Sequence, residues 1–213
     1  MVDPPRSASR GLGALALLAV AAAAHLVVVG SLLTQERPLI YRLHNDTVHR
    51  PGPGADFYAL YHAAMNRQHG LSPYDPRSDG VTPFSFPFRY LPVVADAGRV
   101  ALALPPDAAR RVWIVLLEAL LVGLGALFWR RIADGRLRVF ALCALLLSSP
   151  YFLELYIGQF TFAAVGLLLV ALWLPFGVVP FTLTSLLKVF PLVAAPALLR
   201  HRRYVPHVVV AAG

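Results

Sequence analysis

An all-α polytopic membrane bundle is the fold class this sequence predicts, and three observations predict it. Of 213 residues, 58% are hydrophobic and 14% charged, with a mean hydropathy of +0.64, whereas about a quarter of the residues of a soluble domain are charged. The apolar residues come in blocks of about twenty, the length that carries a helix across a hydrocarbon core of about 30 Å. The cations, eighteen Arg and one Lys, gather at the ends of those blocks. A compact soluble enzyme is excluded, and so is a nucleic-acid face, which would need the cations on one patch. The single cysteine, Cys143, excludes an intrachain disulfide, a CxxC redox pair and a cysteine zinc site. It reads as a small buried apolar residue. The preference for Arg over Lys and the abundance of Ala point to a GC-rich bacterial genome, hence to a bacterial cytoplasmic (inner) membrane.

Residues 11–33 form the first span, too long for a signal-peptide core of roughly 7 to 15 residues. Arg6 and Arg10 ahead of it place residues 1–10 in the cytoplasm. Residues 34–107 form a long external loop, in which seven acidic residues balance seven Arg, so that its translocation meets no cationic penalty. Within it, Pro51 to Gly54 signal a turn, Asp56 is a helix N-cap and Gly70 a helix stop. Phe57, Leu60, Tyr61, Ala64 and Gln68 fall on one face of that helix, which should lie on the membrane or pack on the bundle. Residues 91–104, interrupted by Asp96 and Arg99, are too short and too charged to span, and read as an interfacial or re-entrant helix ended by Pro105 and Pro106.

Further spans follow at residues 108–129, 137–152 and 161–174. Arg130, Arg131, Arg136 and Arg138 mark a cytoplasmic loop after the first of these. The cation-free stretch 150–160 is expected as an external turn after the second. Residues 176–199 would then have cytoplasmic charge at both ends, because Arg200, Arg202 and Arg203 follow them. Two half-helices broken near Lys188 and Pro191 would resolve this as a re-entrant hairpin, and a single continuous helix is the other possibility. Residues 204–213 are apolar and too short to span, so that residues 11–213 read as a transmembrane domain truncated inside a helix.

Phosphate-cradling, zinc-protease, nucleophile-elbow and paired-cysteine motifs are all missing from the sequence. His62 and His69 could share a helix face near His44 and His49, but no carboxylate stands at ligand spacing, and solvated histidines are expected rather than a metal site. Glu118 lies in the middle of its span at a depth similar to that of Lys188, with which it could pair. His25 is expected to hydrogen-bond inside the bundle.

The external loop carries an ordered set of features: Asp56 opening the helix after the first span, Tyr90-Leu91-Pro92 ahead of the short helix, Gly158-Gln159 opening a later span, and Lys188 shortly before Pro191. In that order they resemble glycosyltransferase family 87, within the C-type membrane glycosyltransferases. That family commonly has Lys directly before the proline, whereas two residues intervene here. The resemblance implies a GT-C-like bundle that moves a hexose, often mannose, from a polyprenyl-phosphate donor to a glycan or glycolipid acceptor on the outer face. The transfer would invert the anomeric centre and need no metal or other cofactor. Asp56 would be the general base, and Arg89, Arg99 and Lys188 would hold the donor phosphate as it gains charge. The competing expectation is a non-catalytic membrane protein, a transporter or assembly subunit, or an inactive fragment. A transporter should show broken helices in both of two repeats, whereas the loop charges here gather on one side.

Overall fold

The computed structural model describes residues 6–34, 38–43, 52–77, 80–83, 87–173, 178–188 and 205. Among them there are helices and no strand. Three helical stretches, Leu12–Thr34, Pro106–Arg131 and Gly135–Ile157, are long and apolar enough to cross a membrane.

Helix α1, Arg6–Thr34, begins five residues before the expected span and takes in part of the segment expected as a cytoplasmic tail. Ala21, His25, Val28, Val29 and Leu32 are buried on one stripe, while Leu12, Leu15, Leu17, Val20, Leu26 and Val27 are exposed. That apolar exposure suits lipid, not water. At its end the Ser31 hydroxyl accepts a hydrogen bond from Leu39 N at 3.0 Å, which seats the short helix α2, Leu39–Leu43, and buries Ile40.

Helix α3, Ala55–Gln68, is not a surface helix. Phe57 to Ala64 are all buried, including His62, where a solvated histidine was expected, and only the last turn, with Gln68 and His69, is exposed. Gly70, at φ 72°, ends it, since the left-handed region costs glycine nothing. Helix α4, Pro92–Gly98, continues as a 3₁₀ turn, Arg99–Ala103, before Pro105. These turns cover most of residues 91–104, and Asp96 is bound by Arg67 at 2.9 and 3.2 Å.

Helix α5, Pro106–Arg131, is a long span. Helices α6, Gly135–Leu146, and α7, Ser149–Ile157, form the third stretch of crossing length, which contains the expected span of 137–152. The stretch expected as an external turn is mostly helix α7. The break between them has a local cause. Pro150 has no N–H to donate to the carbonyl four residues back, that of Leu146, and His25 Nδ1 donates to that carbonyl instead, at 2.8 Å. Nε2 of the same ring lies 2.9 Å from Glu118, whose other oxygen accepts from the Tyr151 hydroxyl at 2.8 Å. Glu118 therefore binds His25 and Tyr151, not Lys188 as the sequence suggested. Buried polar groups inside a bundle persist when each has a partner. Glu118→Ala should lower stability in detergent by about 1–2 kcal/mol, read as a fall in melting temperature, and Glu118→Gln, which keeps an acceptor, by less.

Helix α8, Thr161–Trp173, rises only about 20 Å at 1.5 Å per residue, short of the expected crossing over 161–174. It packs closely on α9, Val178–Leu187, with the Thr184 hydroxyl donating to the Ala164 carbonyl. Helix α9 ends at Leu187, and Lys188 follows it. The return limb expected over 189–199, and the segment 204–213 apart from residue 205, lie outside the described residues, as do His44 and His49.

Candidate functional site

The first turn of α3 is where the chain builds its charged pocket. Gly52 and Gly54 both have φ 78°, and Gly54 N donates to the Tyr156 carbonyl at 2.7 Å, tying the start of α3 to the end of α7. A Cβ on Gly54 would lie 2.6 to 2.8 Å from the side chains of Arg110 and Tyr58, so nothing larger fits. Gly54, not Asp56, is the N-cap residue, and it supplies no side-chain cap. Asp56 is the second residue of the helix, where the exposed N–H groups favour a carboxylate. Its side chain is thereby free of capping and turns to other partners.

Those partners come from distant parts of the chain. Burial raises the Asp56 pKa above the ordinary carboxylate value, while Lys188, Arg89 and a hydrogen bond with Tyr90 pull against that rise. Lys188 follows α9, its N–H bonded to the Thr184 carbonyl at 3.0 Å, and a helix C-terminus favours a cation. Its Nζ stands 5.0 Å from the centre of the Tyr90 ring, within cation–π range. Tyr90 is held by Phe88 and Phe160, at ring separations of 5.6 and 5.1 Å. Burial and the Asp56 charge push its phenol pKa up, which keeps it a hydrogen-bond donor.

Of the four residues expected to act, Lys188 and Arg89 act on Asp56 through their charges. Arg99 does not. It is exposed on the 3₁₀ turn, where its charge acts on Asp96.

Sequence reasoning missed Glu154. This residue lies in the last turn of α7, where its Oε2 accepts from Phe162 N at 3.1 Å, and its charge acts on Lys188 and Tyr90. The signal is a lone acid four residues before Gly158-Gln159, in a stretch whose lack of cations reads as an external turn. Gly158 has φ 76°, and a Cβ there would lie 2.7 Å from Phe57 Cβ and 3.2 Å from Phe57 N. That close approach sets Phe57, and so Asp56 beside it, against the corner between α7 and α8.

Beside this cluster runs an almost wholly apolar groove of about 520 Å³, lined among others by Phe57, Gly98, Val112, Trp113, Phe160 and Leu187. Phe57 and Leu187 are the chain neighbours of Asp56 and Lys188. On another side of the same turn, a polar cavity of about 290 Å³ is bounded by Thr34, Tyr58, Asp107, Arg110 and Arg111. Among the described residues no group of three or more His, Cys, Asp or Glu gathers to hold a metal ion. Comparison with protein-family models, curated proteins and solved structures returns no match for this chain.

Proposed function

We propose that this protein is a C-type membrane glycosyltransferase, similar to glycosyltransferase family 87, acting at the outer face of a bacterial cytoplasmic membrane. It transfers a hexose, mannose in the first instance, from a polyprenyl-phosphate donor to a glycan or glycolipid acceptor. The observation that supports this reading is that the charges of Lys188 and Arg89, from segments far apart in the chain, act on Asp56, whose neighbour Phe57 lines an apolar groove. A carboxylate, two cations and a lipid-sized apolar surface are what an amphiphilic sugar phosphate needs.

In this reaction the Asp56 carboxylate accepts the proton of the acceptor hydroxyl as its oxygen attacks the anomeric carbon. The bond from that carbon to the phosphate oxygen breaks, and its electron pair leaves on the polyprenyl phosphate. The phosphate gains one negative charge, which Lys188 and Arg89 stabilise. A single displacement with one base inverts the anomeric centre, and the two cations do for the phosphate what a divalent ion does elsewhere. The groove receives the polyprenyl chain, each buried methylene contributing about 0.8 kcal/mol.

The purified protein in liposomes should move radiolabelled hexose from a polyprenyl phosphate, but not from a nucleotide sugar, to a glycolipid fraction, with no change on adding EDTA. Absence of transfer combined with solute flux across the vesicle would replace the enzyme with a transporter.

A further inference from the structure

A buried cluster at the break between α6 and α7 has no part in the reaction above. His25 is only 3% exposed, and both of its ring nitrogens are engaged. Nδ1 lies 2.8 Å from the Leu146 carbonyl oxygen, and Nε2 lies 2.9 Å from Glu118 Oε2. A carbonyl oxygen only accepts, so Nδ1 carries a hydrogen. In a neutral ring that leaves Nε2 as a bare acceptor. A carboxylate oxygen is also an acceptor, and two acceptors at 2.9 Å repel, so one further proton lies between them. The Tyr151 hydroxyl does not supply it, because it donates to the other oxygen of Glu118 at 2.8 Å.

We infer that His25 and Glu118 form a proton-binding site inside the bundle, holding one proton in common and clasping α1 and α5 to the start of α7 while it is bound. Whether that proton sits on nitrogen or on oxygen, the pair is neutral overall, which suits a pair enclosed in a membrane bundle. Loss of the proton leaves a carboxylate facing a lone pair, with no partner for its charge. The clasp also sets the rings around it, since His25 stacks on Tyr151 at 6.0 Å between centroids and meets Phe152 at 5.4 Å. The far end of α7 binds Gly54 N through the Tyr156 carbonyl, so the corner that the proton closes is the one on which α3 rests.

The charge that acts on His25 is that of Glu118. On α5, Arg111 and Arg130 stand seven and twelve residues from Glu118, about 10 and 18 Å along the helix. Helix α6 brings the Leu146 carbonyl, with Arg138 eight residues before it, and on α1 Arg10 precedes His25 by fifteen residues. Helix α7 brings Tyr151, and Glu154, three residues on, is bound to Phe162 N.

These bonds fix the sign of the pH dependence. When the bundle opens, a free imidazole loses its proton above about pH 6.5 and a free carboxyl above about 4.3. Above pH 6.5 the opened chain therefore holds one proton fewer than the clasped chain. Each further pH unit shifts the equilibrium about tenfold towards opening, until the clasp itself releases the proton.

The test is melting of the purified protein in detergent from pH 6.5 to 9, parent against Glu118→Gln. In the variant the amide N–H donates to Nε2 of the neutral ring and the amide oxygen accepts from Tyr151, so every bond is made without the extra proton. The parent should lose its advantage over the variant as pH rises, by about a tenfold change in the folding equilibrium per pH unit. Groups elsewhere titrate alike in both proteins and cancel in the difference. Parallel pH profiles overturn the inference. His25→Gln removes the imidazole and should be as insensitive as Glu118→Gln, so it supplies the comparison if the first variant does not fold, and a slope equal to the parent's would again count against the site. Nitrogen-15 spectra of the parent give a reading that needs no variant. At pH 7 the His25 ring should carry hydrogen on Nδ1 and be hydrogen-bonded at Nε2, and a ring without hydrogen on Nδ1 overturns the assignment.

Discussion

Asp56→Asn should lower transfer from a polyprenyl-phosphate hexose by at least about a hundredfold, because general-base catalysis contributes roughly 10²- to 10⁴-fold. The substitution keeps the shape of the side chain and its ability to meet Tyr90, and it removes the proton acceptor. Because Gly54 is the N-cap, no capping bond is lost and the fold should be unaffected. Donor binding should also persist, since Lys188 and Arg89 remain, so the loss should appear in kcat and leave KM near the parent value. The raised pKa of Asp56 adds a second signature. Activity in the parent should fall as pH drops through that raised value, above the range of an ordinary aspartate, because protonated Asp56 cannot accept a proton. Expression and melting temperature matching the parent, with the rate loss, are the expected set. A rate within a few-fold of the parent would remove Asp56 from the chemistry.

Gly158→Val should be as damaging to activity by a different route. The residue sits at φ 76°, a conformation that costs a residue with a Cβ roughly 1–2 kcal/mol and a β-branched one more. The new Cβ would also lie 2.7 Å from Phe57 Cβ, an overlap costing about 1–3 kcal/mol in a packed core. Relief requires the first turn of α3 to move away from α7, carrying Asp56 from Lys188 and Tyr90. A displacement of about 1 Å can cost on the order of a hundredfold in rate. Melting in detergent and transfer should therefore fall together, and Gly158→Ala should fall less. Gly70 is the control. Its φ is 72°, but nothing lies within 4 Å of a Cβ there, so Gly70→Ala should show the backbone cost without the loss of activity. A Gly158→Val protein that melts and turns over like the parent would remove the close approach as the device that places Asp56.

Much of the frame was legible because lipid imposes a coarse rule on sequence. Long apolar runs bounded by Arg must be helices, since a backbone in hydrocarbon has to satisfy its own hydrogen bonds. The long spans near residues 11–33 and 108–129, the stop at Gly70 and the short helix before Pro105 follow from composition and from Gly and Pro chemistry. The third crossing was less legible. A proline two residues into α7 breaks the helix locally, but whether the chain then turns or continues depends on what donates to the orphaned Leu146 carbonyl, and that partner, His25, lies 121 residues away.

For the site, the residue types were readable and their company was not. Asp56, Arg89 and Lys188 announce themselves as charges at the edges of apolar segments, yet Arg99 does so equally and ends beside Asp96. Glu118 and Glu154 look alike as single acids in apolar runs, but one binds His25 and Tyr151 and the other accepts from Phe162 N at the start of α8. By itself the sequence determined that this is a helical membrane protein with a charged loop between its first long spans, because apolar length and helix-breaking residues are local properties. Only the tertiary structure decided which charges act on Asp56. That depends on contacts between residues some 30 to 130 positions apart, and on two glycines, Gly54 and Gly158, whose missing side chains let α3 settle on the end of α7.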